Sequence, residues 1–379
     1  MVRGTWLRGD VEISGRPTGF RARARGCLLG GAVGDALGTP IKNLSLDAIH
    51  AAHGPLGVQS FLPAFGKAGA VSAITQMTLF TAEGIIRAHV RQQMKGMCHP
   101  PSVVAHAYAR WLVTQGGRPQ TTHEIDNGWL VQRHDLHHRR GPSETCMAAL
   151  QRDDLFGNLT APNRSKGAAA LTRIAPVAFA TDRDGVDGAR SVFQLAVEIA
   201  AITHGHWTAW CAAGAFTVVV HALLWGYPLE AGIARARLLI GGEAGHQETE
   251  AVLDLVVTLV AKGTPTPEVI VRLGRGQLAH EALGLALFCA LTAQEYEDGV
   301  LAAVNSDGDS DAAGALTGQL LGASLGETSI PDRWLGKLEC RREVETIAND
   351  LAEFLTWDIG EGEPWSRFSE DVWRHYPGS

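Results

Sequence analysis

Three carboxylates at alternate positions open the chemistry of this chain. Asp307, Asp309 and Asp311 fall on a Gly-containing turn just before an apolar helical run. Acids this close raise one another's pKa unless a cation neutralises them. A carboxyl held protonated in that way is what a general acid needs, and a pair of carboxyls can serve acid and base roles in glycosidic cleavage. The ordinary alternative is a helix cap with solvated acids, since carboxylates favour helix N-termini. A second polar group, Ser165-Lys166-Gly167, precedes another helical pattern. Free backbone N–H groups there suit phosphate oxygens, and a plain surface turn would look the same. Thr203-His204-Gly205-His206 carries two imidazoles, but a zinc site would need further ligands that the sequence does not offer.

These groups must be positioned by helices. Gly26, Gly30, Gly34 and Gly38 recur every fourth residue and form one smooth stripe on a helix that also carries Asp35. Each glycine costs about 1 kcal/mol of helix propensity relative to alanine. Close approach of another helix or of a ligand must offset that. The ordinary role for Asp35 is to cap or bridge neighbouring backbone. Helical periodicity continues over 73–92, 102–115, 143–150, 167–181, 188–203, 208–225, 229–240, 246–261, 279–290, 295–304, 311–325, 331–337 and 341–355. The only strand candidate is 57–62. The expectation is an all-α, compact single-domain fold over 21–379, preceded by a polar arm over 1–20.

Composition narrows the partners. A net charge of -7 argues against a phosphate-backbone binder, so no nucleic acid is expected. The Arg21–Arg25 cluster reads as the solvated start of the first helix. Six cysteines without paired spacing suggest neither zinc nor disulfides. The first twenty residues lack an apolar run, and the longest apolar stretches are broken by Gly, His or charge. A soluble cytoplasmic protein that does not engage membranes is the expectation. The oligomeric state is not legible.

Four segments in order carry a resemblance: GCLLGGAVGDALGTPIK over 26–42, SAITQMTLFTAEG over 72–84, SKGAAALTRIAP over 165–176 followed by ITHGH over 202–206, and NSDGDSDAAG over 305–314. Together they resemble the ADP-ribosylglycohydrolase family, which includes the dinitrogenase-reductase-activating glycohydrolases. The resemblance spans about Arg25 to Tyr376. It implies an all-α fold with a central cleft, where a dinuclear Mg or Mn site cleaves the bond between ADP-ribose and an acceptor. It also implies ligands at three places: a Glu after the first segment, a Thr/Ser-Asp-Asp opening the second, and Asp-x-Asp-Thr/Ser in the fourth.

This chain departs from that pattern at most of those places. The Glu position is Lys42, and the Asp-Asp pair is Ala73-Ile74, with Ser72 and Thr75 retained on either side. Asp309 and Asp311 are retained, but the next hydroxyl position is Ala312. The Gly-rich turn that lies against the ribose in the family is Ala168-Ala169-Ala170. Magnesium wants oxygen ligands in octahedral array. Lys42 would oppose it, since two like charges about 4 Å apart repel by about 4 kcal/mol at intermediate dielectric.

The reading is therefore that Lys42 replaces a metal's charge and pairs with Asp309 or Asp311. No cofactor is expected, and Mg or Mn would find at most a weak site at Asp309 and Asp311. The candidate catalytic groups are Asp309, Asp311, Asp307 and Lys42. The candidate substrate contacts are Ser72, Thr75, Ser165, Lys166, Gly167, His204 and Asp35, with a nucleotide or ADP-ribosyl small molecule as ligand. Three functions follow: metal-free cleavage of an N-ribosyl bond, an inactive relative that binds ADP-ribose as a sensor, or hydrolysis with a rearranged metal. What Lys42 touches separates them.

Overall fold

The glycine stripe is where the architecture begins. In the computed structural model, which describes residues 15–121, 125–242, 244–261, 263, 266–360 and 366–378, helix α1 (Phe20–Gly38) lies antiparallel against α13 (Ser310–Leu325). Gly26 meets Gly322, Gly30 meets Gly318, Gly34 meets Gly314, and Gly38 meets Ser310. A Cβ on any of these four α1 glycines would fall inside van der Waals contact with a carbonyl of α13. The stripe thus trades helix propensity for backbone-to-backbone packing, at the most extensive helix contact of the fold. The matching glycines of α13 complete a pattern that sequence reading found on one helix only.

Around this pair stand α2 (Leu46–His53), α3 (Ala73–Lys95), α4 (Pro100–Thr114), α5 (Glu144–Leu150), α6 (Gly185–Ala201), α7 (Trp207–Leu224), α8 (Leu229–Ile240) and α9 (Gln247–Val260). They are followed by α10 (Pro267–Ile270), α11 (Ala279–Thr292), α12 (Tyr296–Val304), α14 (Asp332–Leu335), α15 (Arg341–Glu353) and α16 (Arg367–His375). One hydrophobic core runs through them, from Phe20 to Tyr376. The fold is all-α, as the sequence pattern predicts. By length and composition α7 could cross a membrane, contrary to the expectation that no apolar stretch reaches span length, but 89% of it is buried inside the protein. The six cysteines are free.

Several elements differ from expectation for identifiable reasons. The helix expected over 167–181 is two short 3-10 turns, Ala168–Ala170 and Ala175–Phe179. Pro176 has no N–H to give the Thr172 carbonyl, which accepts from Gln319 Nε2 instead (3.2 Å). The segment expected as a strand over 57–62 pairs with no strand among the described residues; its first residue, Gly57, donates its N–H to Gly54 O (3.0 Å) in a turn. Its Val58 is held by the Asn305 side chain, which accepts from Val58 N (2.7 Å) and donates to Val58 O (2.9 Å). The strand pair lies just beyond, where β1 (Pro63–Ala64) pairs antiparallel with β2 (Lys67–Ala68). Helices α2, α10 and α16 were not anticipated. Residues 1–14 of the expected polar arm lie outside the described residues. Within its last part, Phe20 is buried and the Arg16 guanidinium lies over its ring.

Candidate active site

The close approach of Gly38 to Ser310 brings the C-terminus of α1 against the N-terminus of α13. A 3-10 turn, Thr39–Ile41, then delivers Lys42. The next residues pair with the acid turn, Asn43 N donating to Gly308 O (2.6 Å) and Gly308 N to Leu44 O (3.3 Å). Lys42 is thereby held over the start of α13. Its Nζ donates to Asp311 Oδ2 (2.9 Å) and contacts Asp309 Oδ1 at 3.0 Å. The Asp311 side chain is 3% exposed and that of Lys42 36%. Burial works against the ammonium charge, but Asp311 and Asp309 outweigh it and hold the Lys42 pKa above its usual value. Burial and the Asp311 charge push Asp309 well above the usual carboxylate range, with Lys42 opposing.

Asp35 sits behind this cluster, fully buried. Its Oδ2 accepts from Ser72 N (2.9 Å), Thr75 N (3.2 Å) and Thr75 Oγ1 (2.5 Å), so it caps the N-terminus of α3. Thr39 Oγ1 donates to Oδ1 (3.1 Å). Burial and the Asp311 charge raise its pKa to about 6 against those hydrogen bonds. Ser72 Oγ accepts from Ile74 N (3.0 Å). The hydroxyls of Ser72 and Thr75 are thus both engaged in starting α3.

A second cluster forms around His204. Nδ1 lies 2.8 Å from Thr203 Oγ1, which accepts from Arg173 Nη2 (2.5 Å). A guanidinium only donates, so the threonine hydrogen is available to Nδ1 and the imidazole proton is assigned to Nε2. That Nε2 is buried without a partner. Gly167 borders it, and a Cβ there would stand in ordinary van der Waals contact, 3.5 Å from Nε2 and from Ser165 Oγ. Burial, with the Arg173 charge behind it, lowers the His204 pKa to about 3. Arg173 also donates to Tyr108 Oη (2.9 Å), Ala169 O (3.1 Å) and Cys146 Sγ (3.1 Å). Its only sequence signal is a lone charge within an apolar stretch. Lys166 points to Glu248 (2.6 Å), and His206 Nδ1 accepts from Thr208 N (3.1 Å) to cap α7.

The segment Arg275–Leu278, which sequence reading passed over, joins the two clusters. Arg275 O accepts from Asp309 N (2.8 Å), and Gly276 lies against Asp309. Gln277 Nε2 reaches Asn43 Oδ1 (3.4 Å), and Gln277 O accepts from Ala168 N (2.9 Å). Positive φ at Gly274 (98) and Gly276 (69) lets the segment take this path. Asp307 stands apart from Lys42. It accepts from Leu46 N (2.5 Å), capping α2, and lines a groove of about 250 Å³ with Ser45, Leu46, Ile270 and Val271.

The side chains present do not fit a pair of divalent cations. An ammonium bridges the two carboxylates that would be shared, Ala73 and Ile74 bring no oxygen, and Ser72 and Thr75 are engaged in capping. Among the described residues no three His, Cys, Asp or Glu side chains are grouped to hold a metal ion.

Comparison with known proteins bears on this site. The profile of the family described as ADP-ribosylglycohydrolase matches residues 16–358. An ADP-ribosyl-[dinitrogen reductase] glycohydrolase of Rhodospirillum rubrum is 25% identical over 337 residues, 86% of this chain and 95% of that protein. An ADP-ribosylarginine hydrolase Tri1 of Serratia proteamaculans is 32% identical over 71 residues, 19% of either chain. A solved structure described as an ADP-ribosylglycohydrolase-related protein complex superposes with a TM-score of 0.64 at 25% identity, covering 88% of this chain and 98% of the other.

Proposed function

The chain belongs to the ADP-ribosylglycohydrolase family, and from that premise we propose that it binds an ADP-ribosyl or NAD-derived compound and hydrolyses its N-ribosyl bond with Lys42 in place of a metal pair. One observation carries the reading: the Lys42 ammonium lies between Asp309 and Asp311, at 3.0 and 2.9 Å. Two carboxylates against one ammonium leave a net negative charge when all three are ionised. Such a site stabilises the oxocarbenium-like centre that forms as the C1′–N bond breaks. The raised pKa of Asp309 suits it to give a proton to the departing nitrogen. A water oxygen then bonds to C1′ and returns a proton to the carboxylate. The neutral His204, oriented through Thr203 and Arg173, offers Nε2–H to a substrate oxygen.

A second reading is favoured by the same contacts: Lys42 engages both acids, and a site so engaged would bind ADP-ribose as a sensor without turning it over. Activity measured with and without chelator separates the two. The purified protein is assayed for ribose release from ADP-ribosyl-arginine, NAD and nicotinamide nucleosides, and its Mg and Mn content is determined. Turnover that survives chelation supports the metal-free hydrolase. Binding of ADP-ribose with no turnover supports the sensor. Turnover abolished by chelator and restored by Mn would overturn both.

A further inference from the structure

We propose that Phe65 is the platform on which the substrate's purine base stacks. The inference rests on the reading above, that an ADP-ribosyl compound occupies the cleft. The hairpin β1–β2 is closed by Phe65-Gly66, with φ of 51 and 87. A two-residue turn with both centres at positive φ is ordinarily built from Asn-Gly, Asp-Gly or Gly-Gly. A bulky residue there is a conformational outlier. Burial does not account for it, because Phe65 is 48% exposed. An outlier kept at the edge of a site points to a use for the side chain.

The ring is also held. The Arg140 guanidinium lies 4.9 Å from its centroid. Arg140 is itself buried and donates to Glu339 (2.9 Å), the carboxylate that Lys67 of the same hairpin meets at 3.2 Å. One ring face is therefore backed by a fixed cation, while nearly half of the residue stays open to solvent.

The hairpin is tied to both segments that frame the acid cluster. Strand β1 packs on the Thr39–Ile41 turn that delivers Lys42. The Arg140 carbonyl accepts from Ala73 N (2.9 Å), next to Ser72. Phe65 thus stands beside the segments that bring Lys42 and α3 to the site. A flat apolar face suits a planar ring, and the cation behind it selects among rings. A positively charged nicotinamide would meet the like charge of Arg140, whereas a neutral electron-rich purine would not.

The test uses Phe65→Gly and Phe65→Trp in the full chain. Glycine relieves the backbone at φ 51, and tryptophan keeps a stacking face. Binding of ADP-ribose is measured by calorimetry, binding of ribose 5-phosphate by NMR shifts, and stability by thermal melting. The expected result is a Kd for ADP-ribose raised about 5- to 100-fold in Phe65→Gly, in the range of base–aromatic stacking. Its melting temperature should be unchanged or higher, its ribose 5-phosphate binding unchanged, and Phe65→Trp should bind ADP-ribose like the wild type. An unchanged Kd in Phe65→Gly overturns the platform. So does a lower melting temperature with both affinities intact, which would reduce Phe65 to a cover for Arg140. Failure of the wild type to bind ADP-ribose would instead overturn the parent reading, and the platform with it.

Discussion

Removing the Lys42 charge while keeping its stem, as in Lys42→Met, isolates the contribution of the ammonium. The variant leaves Asp309 and Asp311 facing one another without the cation that stands 3.0 and 2.9 Å from them. Breaking a fully buried pair costs about 3–5 kcal/mol, whereas an exposed pair contributes less than about 1. Asp311 is 3% exposed but Lys42 is 36% exposed, so solvent screens part of the interaction and a loss of about 2 kcal/mol is expected. At about 2 °C per kcal/mol for a large domain, the melting temperature falls by about 4 °C. The two vacated carboxylates should then accept a divalent ion. An ion present at about a hundred times its Kd restores about 2.7 kcal/mol. Thermal melts of both proteins in EDTA and in MnCl₂ read this directly. Recovery by Mn in Lys42→Met, with a flat response in the wild type, is the expected pattern. A variant as stable as the wild type, or a wild type that Mn stabilises equally, would refute the view that Lys42 stands in for a metal.

Three further outcomes follow from packing and titration. Gly34→Ala should be far more damaging than Gly232→Ala in α8, because the first Cβ strikes the Gly314 carbonyl and the second meets nothing nearer than Val219 Cα at 3.2 Å; soluble yield and melting temperature report the difference, expected at about 3 kcal/mol or more. Burial raises Asp350 to about 7, with the Glu353 charge adding and the Tyr376 hydroxyl opposing. The raised value means that Asp350 stabilises the fold at low pH and that this is lost between about pH 4 and 7. Asp350→Asn should match the wild type at pH 4 and exceed it at pH 8, by on the order of 4 kcal/mol at most, in denaturant titrations. His204 and His221 are lowered to about 3 and about 4, mainly by burial. Their contribution is present above about pH 6.5 and is lost as pH falls below it. His204→Gln should therefore shift the acid-unfolding midpoint, followed by circular dichroism, to lower pH, and an unchanged midpoint would contradict the burial of a neutral ring.

The parts legible in the sequence are those set by local pattern. The stripe from Gly26 to Gly38 announces a close helix partner, and the helices α3 to α9 follow from apolar periodicity. The meeting of Lys42 with Asp309 and Asp311, 267 to 269 positions apart, was readable only because the family pattern aligned them. What escaped was set by tertiary contact. Asp307 lies two residues from Asp309 yet caps α2, because Gly308 turns the chain between them at φ 109. Arg173 gives no periodic signal and is recognisable only once Tyr108, Thr203 and Cys146 surround it. The bridge at Arg275–Leu278 is a Gly-containing connector whose backbone finds partners far along the chain.

The glycine ridge and the charged cluster belong to one structural argument. Four backbone contacts fix α1 against α13, and the last of them, Gly38 on Ser310, lies four residues before Lys42 and one before Asp311. The distance between the ends of the two helices is therefore set by packed carbonyls and does not depend on what sits between the side chains. Such a frame tolerates exchange of its central charge, since neither helix must move when a carboxylate-bound ion is replaced by an ammonium on the adjoining turn. Such a replacement would not be neutral for chemistry. An ammonium is a single positive charge that only donates hydrogen bonds, and it has no open coordination position for a substrate oxygen or a water. On the proposed reading, hydrolysis at this site would rely on the proton held by the acid pair and on the orientation imposed by His204, and both can be tested with the frame left intact.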